Sequence, residues 1–334
     1  MPGATLRDVA KLAGVSVKTV SNVVRDQPHV SAAMKERVER AIDELGYVPN
    51  TTARRLVTGR TGMVKMAFPE LKAPYFAEVA DQMHKEAKKH DLRLLIEQTE
   101  NRIENERAVL ADREQGLVDG IIFEPVKLSS KEISHLRGHV PLVLLGEILP
   151  PLSVDHVMID NVAAAATATR HLVEQGRHHI GFLAYKDPDS SDTVKQRLKG
   201  YESALKEGGR QAGPSIYVPA PAFGADAAEA GVSEALKKGV EFDGLVCYDD
   251  LAAVGAMRAL RRAGKSVPED VAVVGWDDIF VAKYSNPSLT TITPDIPALC
   301  SRAMDMLVER INGYDGVGRH ELVDYRLTVR ESTE

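Results

Sequence analysis

The sequence predicts an α/β protein with an N-terminal three-helix, helix-turn-helix headpiece and a hinge helix, followed by two doubly wound parallel α/β lobes. Two observations lead to this fold class. Between residues 5 and 48, apolar side chains recur only at the three- and four-residue spacing of helices. From residue 61 onward, short apolar runs typical of buried strands alternate with amphipathic segments, which is the pattern of parallel sheets covered by helices.

The first two predicted helices lie on either side of a Gly14–Val15 turn. Thr5 has the spacing of a helix N-cap and Asp8 that of the acid at the third position. Ser16 can cap the second helix, which turns three valines inward. The opposite face of that helix carries Val17, Lys18, Ser21 and Asn22. A short helix with a polar face after a tight turn fits a DNA major groove.

A third helix is predicted from Ser31 to the stop at Gly46. The segment after it holds a Pro49–Asn50 break and then a short amphipathic piece in which Arg54 and Arg55 stand beside Leu56. An apolar wedge flanked by arginines suits minor-groove insertion, because leucine parts a base step while the guanidinium groups neutralise phosphate.

Charge and composition support the same division. Residues 1–60 carry ten Lys and Arg against six Asp and Glu, or +4, whereas the whole chain has 42 against 48, or −6, which leaves −10 for the remainder. The basic N-terminal segment therefore favours binding to the phosphate groups of DNA, whereas the acidic remainder of the chain does not. A hydrophobic content of 44% is ordinary for a globular protein. Cys247 and Cys300 lie in apolar patterns and are expected to be buried thiols.

No signal-peptide pattern opens the chain, and no apolar run approaches the ~20 residues that span a bilayer. We therefore expect a cytoplasmic protein without a membrane partner. Enzyme motifs are also missing from the sequence. Gly264–Lys265–Ser266 resembles the end of a phosphate-binding loop, but the glycine needed five positions earlier is Ala259. We expect no catalytic site, no metal and no cofactor.

Eight apolar runs after residue 60 are predicted strands: MVKMAFP, LRLLIEQ, DGIIFEP, PLVLLGE, HVMID, HIGFLAY, DGLVCYD and DVAVVGW. So many strands exceed one doubly wound sheet, so we divide them between a first lobe at about 61–159 and a second at about 160–289. Ligands bind at the carboxyl ends of such strands, and the cleft between the lobes is the expected pocket.

The headpiece motifs are Thr5, Asp8-Val9-Ala10, Ala13-Gly14-Val15-Ser16, Thr19-Val20-Ser21, Val30-Ser31, Gly46-Tyr47, Pro49-Asn50, Ala53 and Leu56. In this order they resemble the headpiece of the lactose-repressor (LacI/GalR) family of bacterial transcription regulators. The resemblance implies that Val17, Lys18 and Asn22 touch base edges and that the segment around Ala53 and Leu56 is a hinge helix. The full set of expected DNA contacts is Thr5, Ser16, Val17, Lys18, Thr19, Ser21, Asn22, His29, Asn50, Ala53, Arg54 and Leu56.

The rest of the chain is similar to the family's regulatory core, which is of periplasmic-binding-protein type. Motifs that carry the likeness include Pro74-Tyr75-Phe76, Asp160-Asn161, Gly275-Trp276-Asp277-Asp278 and Val329-Arg330-Glu331-Ser332. The resemblance implies a headpiece at 1–48, a hinge at 49–60 and a core at 61–334. The chain then crosses between lobes three times, so that 293–315 joins the first lobe and 318–334 the second. Without a heptad tail, we expect a two-fold homodimer on palindromic double-stranded operator DNA.

Candidate effector residues follow the predicted strands. Carboxylates accept hydroxyl hydrogens and a guanidinium donates in a fork, which suits a polyhydroxylated ligand, while aromatic rings stack on its apolar face. The expected set is Leu71, Tyr75, Phe76, Glu147, Asp160, Thr193, Arg197, Phe223, Asp249 and Asp277. The resemblance implies effector contacts at Asp160, Arg197 and Asp277. Asp250 and Asp278 are interpreted as helix caps.

Three departures from the family pattern fall on the effector side, at Gly146-Glu147, Asp249-Asp250 and Thr293-Pro294-Asp295. The ligand therefore cannot be carried over from the family. We expect a repressor whose operator affinity is controlled by a sugar. A nucleobase or nucleoside is the alternative, because Tyr75 and Phe76 could also stack on a base. A remoter alternative is a cytosolic sugar-binding or sugar-modifying protein without a DNA role.

Overall fold

The computed structural model describes residues 4–24, 30–47, 60–111, 116–146, 150–185, 191–208 and 217–334. It divides into a small unit, Met1–Thr61, and a large unit, Gly62–Glu334. Within the described residues, no helix is both long and apolar enough to cross a membrane.

The small unit contains the three predicted helices, α1 (Leu6–Ala13), α2 (Val17–Val24) and α3 (Ala32–Leu45). Its core is formed by apolar side chains at helical spacing, namely Val9, Ala10, Ala13, Val20, Val23, Val38, Ala41 and Tyr47. The glycines after α1 and α3 adopt left-handed backbone with φ of 59° and 57°, which ends both helices.

The first lobe of the large unit is a parallel sheet with helices on its faces. Its strands are β1 (Met63–Phe68), β2 (Arg93–Gln98), β3 (Gly120–Phe123), β4 (Leu142–Leu145), β5 (Asp155–Ile159) and β11 (His320–Val323). They lie in the order β11-β5-β4-β3-β1-β2. Its helices are α4 (Pro74–Lys89), α5 (Ile103–Ala111), α6 (Ser130–Leu136) and α12 (Ile296–Ile311).

The second lobe repeats this architecture. Its strands are β6 (Ile180–Tyr185), β7 (Tyr217–Ala220), β8 (Gly244–Cys247), β9 (Ala272–Trp276), β10 (Thr290–Pro294) and β12 (Tyr325–Thr328). They lie in the order β12-β10-β9-β8-β6-β7, and β12 alone runs antiparallel within the described strands. Its helices are α7 (Asn161–Glu174), α8 (Asp192–Glu207), α9 (Ala225–Lys237), α10 (Asp250–Arg262) and α11 (Phe280–Tyr284).

The chain crosses between the two sheets as their strand orders require. After β10 it returns to the first lobe, where α12 packs against α4 and against β3, β4 and β5. The expectation assigned 318–334 to the second lobe, and this differs from the structure. Strand β11 pairs in parallel with β5, and only the residues after it reach the second sheet. The turn before β11 is held to the first lobe because the His156 N–H donates to the Arg319 carbonyl at 2.8 Å.

Asp155 holds these crossing segments together. Its fully buried carboxylate at the start of β5 accepts hydrogen bonds from Arg310 of α12 at 2.9 Å and from Arg319, just before β11, at 2.8 Å. Burial alone would raise the pKa of Asp155, but the hydrogen bonds from the two arginines outweigh it and lower the pKa to about 2.

We expect Asp155→Asn to lower the free energy of unfolding by about 3 kcal/mol, because Arg310 then loses its buried anion and Arg319 retains only the half-exposed Glu309. Chemical denaturation at pH 7 measures the loss. A depressed carboxyl pKa stabilises the fold above the unfolded value of ~4, and this stabilisation disappears as the pH falls toward 2. The matched control is Glu321→Gln, at the half-exposed pair with Arg302, where a loss of ~1 kcal/mol or less is expected. Equal losses in both variants would contradict the role of Asp155.

Candidate functional site

The small unit presents the predicted reading face of α2 to solvent. The Ser16 hydroxyl accepts the Thr19 backbone N–H at 3.0 Å and so caps the helix, as the sequence predicts. Val20 and Val23 are buried, which turns the opposite side outward. On that side Val17 is 42% exposed and Lys18 is exposed, while Ser21 and Asn22 are partly exposed. Side chains of these types at these positions can reach base edges.

Polar interactions stabilise the start of α1 and the turn between α1 and α2. Thr5 and Asp8 form the predicted capping box at the start of α1, with the Thr5 N–H donating to the Asp8 carboxylate at 2.9 Å. Arg37 of α3 donates to the Ala13 carbonyl at 2.6 Å and to the Gly14 carbonyl at 3.1 Å, so it holds the turn between α1 and α2. Arg37 was not predicted, because a surface arginine on α3 has no local pattern that indicates this contact.

Six predicted contact residues lie outside the described residues. They are His29, Asn50, Ala53, Arg54 and Leu56 on the DNA side and Glu147 on the effector side. Their roles stay predictions.

The large unit contains a cavity of about 660 Å³ between its two lobes, at the carboxyl ends of the strands. Seven of the predicted effector residues line it: Tyr75, Phe76, Thr193, Arg197, Phe223, Asp249 and Asp277. Further polar residues of the first lobe that line the cavity, and that were not predicted, are Glu70, Lys72, Asn101 and Glu124. A volume of this size accommodates a small organic ligand.

Arg197 lies at the centre of the second lobe's wall. Its side chain is buried, and it donates from Nε to the Asn161 Oδ1 at 2.9 Å and from Nη1 to the Tyr248 carbonyl. The guanidinium carbon lies 3.8 Å from the ring centroid of Trp276. These contacts fix the guanidinium plane, so its direction toward the cavity is set before a ligand enters.

Four aromatic residues at or just after the ends of strands also line this wall. Tyr185 stacks on Tyr248 with ring centroids 5.1 Å apart, and Phe223 meets the Tyr185 ring edge-on at 3.8 Å. Trp276 completes the aromatic surface. Of these residues, Phe223 was predicted. Tyr185, Tyr248 and Trp276 were not, because each of the three stands at the end of an apolar run, where its pattern is that of a core residue.

Each lobe contributes to the cavity wall a buried polar atom that has no hydrogen-bond partner within the described part of the protein. The Tyr185 hydroxyl is such an atom in the second lobe, and the Asn101 Oδ1 is such an atom in the first. A buried polar group without a partner costs ~1–3 kcal/mol, so a ligand that bonds to both atoms recovers this free energy. The two atoms offer a hydroxyl and an amide oxygen, which match the hydroxyl groups of a polyhydroxylated compound.

The predicted acids divide into two groups. Asp249 lines the cavity and also caps α10, accepting the Ala252 N–H at 2.6 Å, and burial raises its pKa to about 6. Asp277 lines the cavity with a backbone φ of 103°. Asp160 and Leu71 do not line it. The Asp160 carboxylate caps α7 by accepting the Ala163 N–H at 2.9 Å, and the Leu71 side chain is exposed.

The interpretation of Asp250 and Asp278 as helix caps is wrong. Asp250 is fully buried, and its carboxylate accepts the Thr291 hydroxyl at 2.7 Å and the Ile279 N–H at 2.9 Å. Burial is the main reason that its pKa rises to about 8. Asp278 accepts from Arg330 at 2.6 Å and from the Thr293 hydroxyl at 2.9 Å. Asp250 therefore binds the loop after β9, and Asp278 joins that loop to β10 and to Arg330, so neither carboxylate caps the first turn of its own helix.

Comparisons with known proteins place this architecture. One family model, described as bacterial regulatory proteins, lacI family, matches residues 5–50, and another, a periplasmic binding protein-like domain, matches residues 169–333. The ribose operon repressor of Halalkalibacterium halodurans is 33% identical over 331 residues, which cover 99% of this chain and 97% of that protein. The chain belongs to the lacI family of bacterial regulatory proteins.

Other relatives agree with this assignment. The HTH-type transcriptional repressor CytR of Escherichia coli K12 is 30% identical over 99% of this chain and 96% of its own length. The solved structure of the lac repressor dimer bound to operator and the anti-inducer ONPF matches with a TM-score of 0.87 at 27% identity and covers 99% of both chains. The lacI-family chain is thus a DNA-binding transcriptional repressor. Its relatives confirm the predicted fold class, the family and a regulator rather than an enzyme.

Proposed function

We propose that this lacI-family repressor binds palindromic operator DNA as a homodimer and that a neutral sugar, bound between the lobes, controls its operator affinity. The observation that carries the ligand class is the cavity wall itself. It combines a fixed guanidinium at Arg197, carboxylates at Asp249 and Asp277, and a Tyr185 hydroxyl that has no hydrogen-bond partner among the described residues and lies beside aromatic rings. Paired hydroxyl groups with an apolar ring face satisfy all of these groups together.

A nucleoside is the second candidate, and the aromatic cluster favours it. Phe223, Tyr185 and Tyr248 present faces and edges on which a base could stack. A nucleoside also carries ribose hydroxyls for the carboxylates. The two candidates differ in what they place against the aromatic wall, and they are separated by the same binding experiment.

The experiment uses Trp276, the only tryptophan of the chain, which lines the cavity. We expect a neutral mono- or disaccharide to change its emission on titration and to raise the melting temperature, since a ligand at ~100 times its Kd adds ~2.7 kcal/mol to stability. The panel contains neutral sugars, nucleosides and nucleobases. A response to nucleosides alone would replace the sugar by the second candidate. No response from any of these compounds would contradict the proposed effector class.

The homodimer proposal is supported by apolar side chains that a monomer leaves in water. Phe280 and Tyr284 of α11 are 71% and 64% exposed, and Leu95 and Ile96 of the edge strand β2 are also exposed. The Phe280 N–H donates to Glu78 of α4 at 3.0 Å, so α11 lies against the lobe that carries β2. Exposed apolar residues of this kind mark association surfaces. Sedimentation of the purified protein measures the assembly, and we propose that the dimer works in the bacterial cytoplasm, where operator DNA is.

A further inference from the structure

The loop after β9 connects the cavity with the exposed helix α11 over very few residues. Trp276 and Asp277 line the cavity, and α11 begins at Phe280. Asp277 and Asp278 are consecutive non-glycine residues with positive φ, at 103° and 55°. The value at Asp278 falls in the left-handed region that aspartate tolerates, but 103° at Asp277 lies outside it and is unfavourable for any L side chain. Other parts of the fold must therefore hold Asp277 in place.

The side chain of Asp278 supplies this restraint. It accepts from Arg330 at 2.6 Å and from the Thr293 hydroxyl at 2.9 Å, and the side chains of Asp278 and Arg330 are only 16% and 17% exposed. Arg330 is itself held, because it also donates to the Leu289 carbonyl at 2.8 Å. The carboxylate thus joins the loop to β10 and to the segment after β12.

A second restraint acts one residue further along. The Ile279 N–H donates to the buried Asp250 carboxylate at 2.9 Å, and Thr291 of β10 donates to the same carboxylate at 2.7 Å. The Asp277 N–H donates to the Ile292 carbonyl at 2.9 Å. Each end of the strained residue is therefore tied to β10, and the ion pair of Asp278 with Arg330 ties the loop to the C-terminal segment.

We propose that Asp278 and Arg330 are positioning residues, whose ion pair holds Asp277 in its strained backbone and so keeps the Asp277 carboxylate in the cavity wall. Helix α11 continues from the same loop. A change in the backbone conformation of Asp277 therefore shifts α11 and its exposed side chains Phe280 and Tyr284. The consequence for effector binding rests on the proposed function. The positioning itself is a property of the loop and is tested without ligand or DNA.

The test measures acrylamide quenching of Trp276, which is 1% exposed in the intact loop. We expect Arg330→Met to raise the quenching constant about threefold, because the freed loop opens locally beside the indole. The matched control is Arg326→Met. Arg326 lies 4.0 Å from the same carboxylate with its side chain 70% exposed, so its loss should leave quenching unchanged.

A glycine rescue separates positioning from a general loss of stability. Glycine adopts positive φ without strain, so Asp277→Gly in the Arg330→Met background should return quenching toward the wild-type value. Should Arg330→Met fail to fold by circular dichroism, Asp278→Asn tests the same ion pair, because it removes the charge and keeps an acceptor for Thr293. Equal quenching in the Arg330 or Asp278 variant and in the Arg326 control would overturn the proposal, as would a glycine variant without rescue. Neither outcome tests the proposed sugar effector, because the quenching experiment contains no ligand.

Discussion

Arg197→Ala is expected to abolish the effector response while operator affinity without effector stays within about threefold of wild type. The guanidinium is buried in the second lobe, where it binds Asn161 and the Tyr248 carbonyl and lies over Trp276. Its loss removes a charged donor from the ligand and removes the hydrogen bond to the Asn161 Oδ1. Hydrogen bonds to charged groups contribute ~1.5–3 kcal/mol each, so two of them predict a loss of ligand affinity of 100-fold or more, of the order of 10²–10⁴.

The measurement is operator binding by fluorescence anisotropy, with and without the sugar that changes Trp276 emission. Arg177→Ala is the matched control, because Arg177 also donates to backbone carbonyls, at Pro268 and Glu269, but does not line the cavity. It should respond to the sugar as the wild type does. An Arg197→Ala protein that responds at the wild-type sugar concentration would remove Arg197 from the effector site.

Much of the fold could be predicted because its strands and helices are long enough to show their period. The eight predicted strands coincide with β1 to β6, β8 and β9. Strand β10, with the sequence TTITP, was not among the predicted strands, because threonine and proline interrupt its apolar residues. The strands β7, β11 and β12 were missed as well. Each has four residues, β7 contains Pro219, and β11 and β12 alternate between partly buried and exposed positions without an apolar run. Their membership depends on partners distant in sequence, such as Asp155 with Arg319, and no local pattern records those.

The residues of the cavity could be predicted where a charged side chain stands directly at the end of a predicted strand. Carboxylates at strand ends stand out in the sequence, because charged residues next to apolar runs need a reason to be there, whereas Arg197 was predicted from the family resemblance. The aromatic wall does not stand out, since Tyr185 and Trp276 resemble core residues until the cavity is seen beside them. Asp250 and Asp278 were misread because their partners Thr291 and Arg330 lie far along the chain. Backbone strain at Asp277 has no sequence signature.

Lys18→Ala is expected to weaken binding to the specific operator far more than binding to unrelated DNA. Lys18 is exposed on α2, whose capped start and buried valines fix its direction. A lysine that donates to guanine O6 or N7 contributes ~1–3 kcal/mol of discrimination, and a homodimer uses it twice. The predicted loss is therefore ~2–6 kcal/mol, or roughly 30-fold to 10⁴-fold in Kd.

The operator is first selected from random double-stranded DNA with the wild-type protein, and anisotropy then compares both proteins on that sequence and on a scrambled one. Lys11→Ala is the matched control. Lys11 is also an exposed lysine, but it lies on α1, outside the predicted reading face, and its substitution removes the same charge.

A Lys18 that touches only phosphate would give a different pattern. Specific and non-specific affinity would then fall together, and the dependence of log Kd on log salt would become shallower by ~2 for the dimer. The base-reading role thus requires that Lys18→Ala relaxes sequence preference at one position of each half-site, which loss of charge alone does not produce.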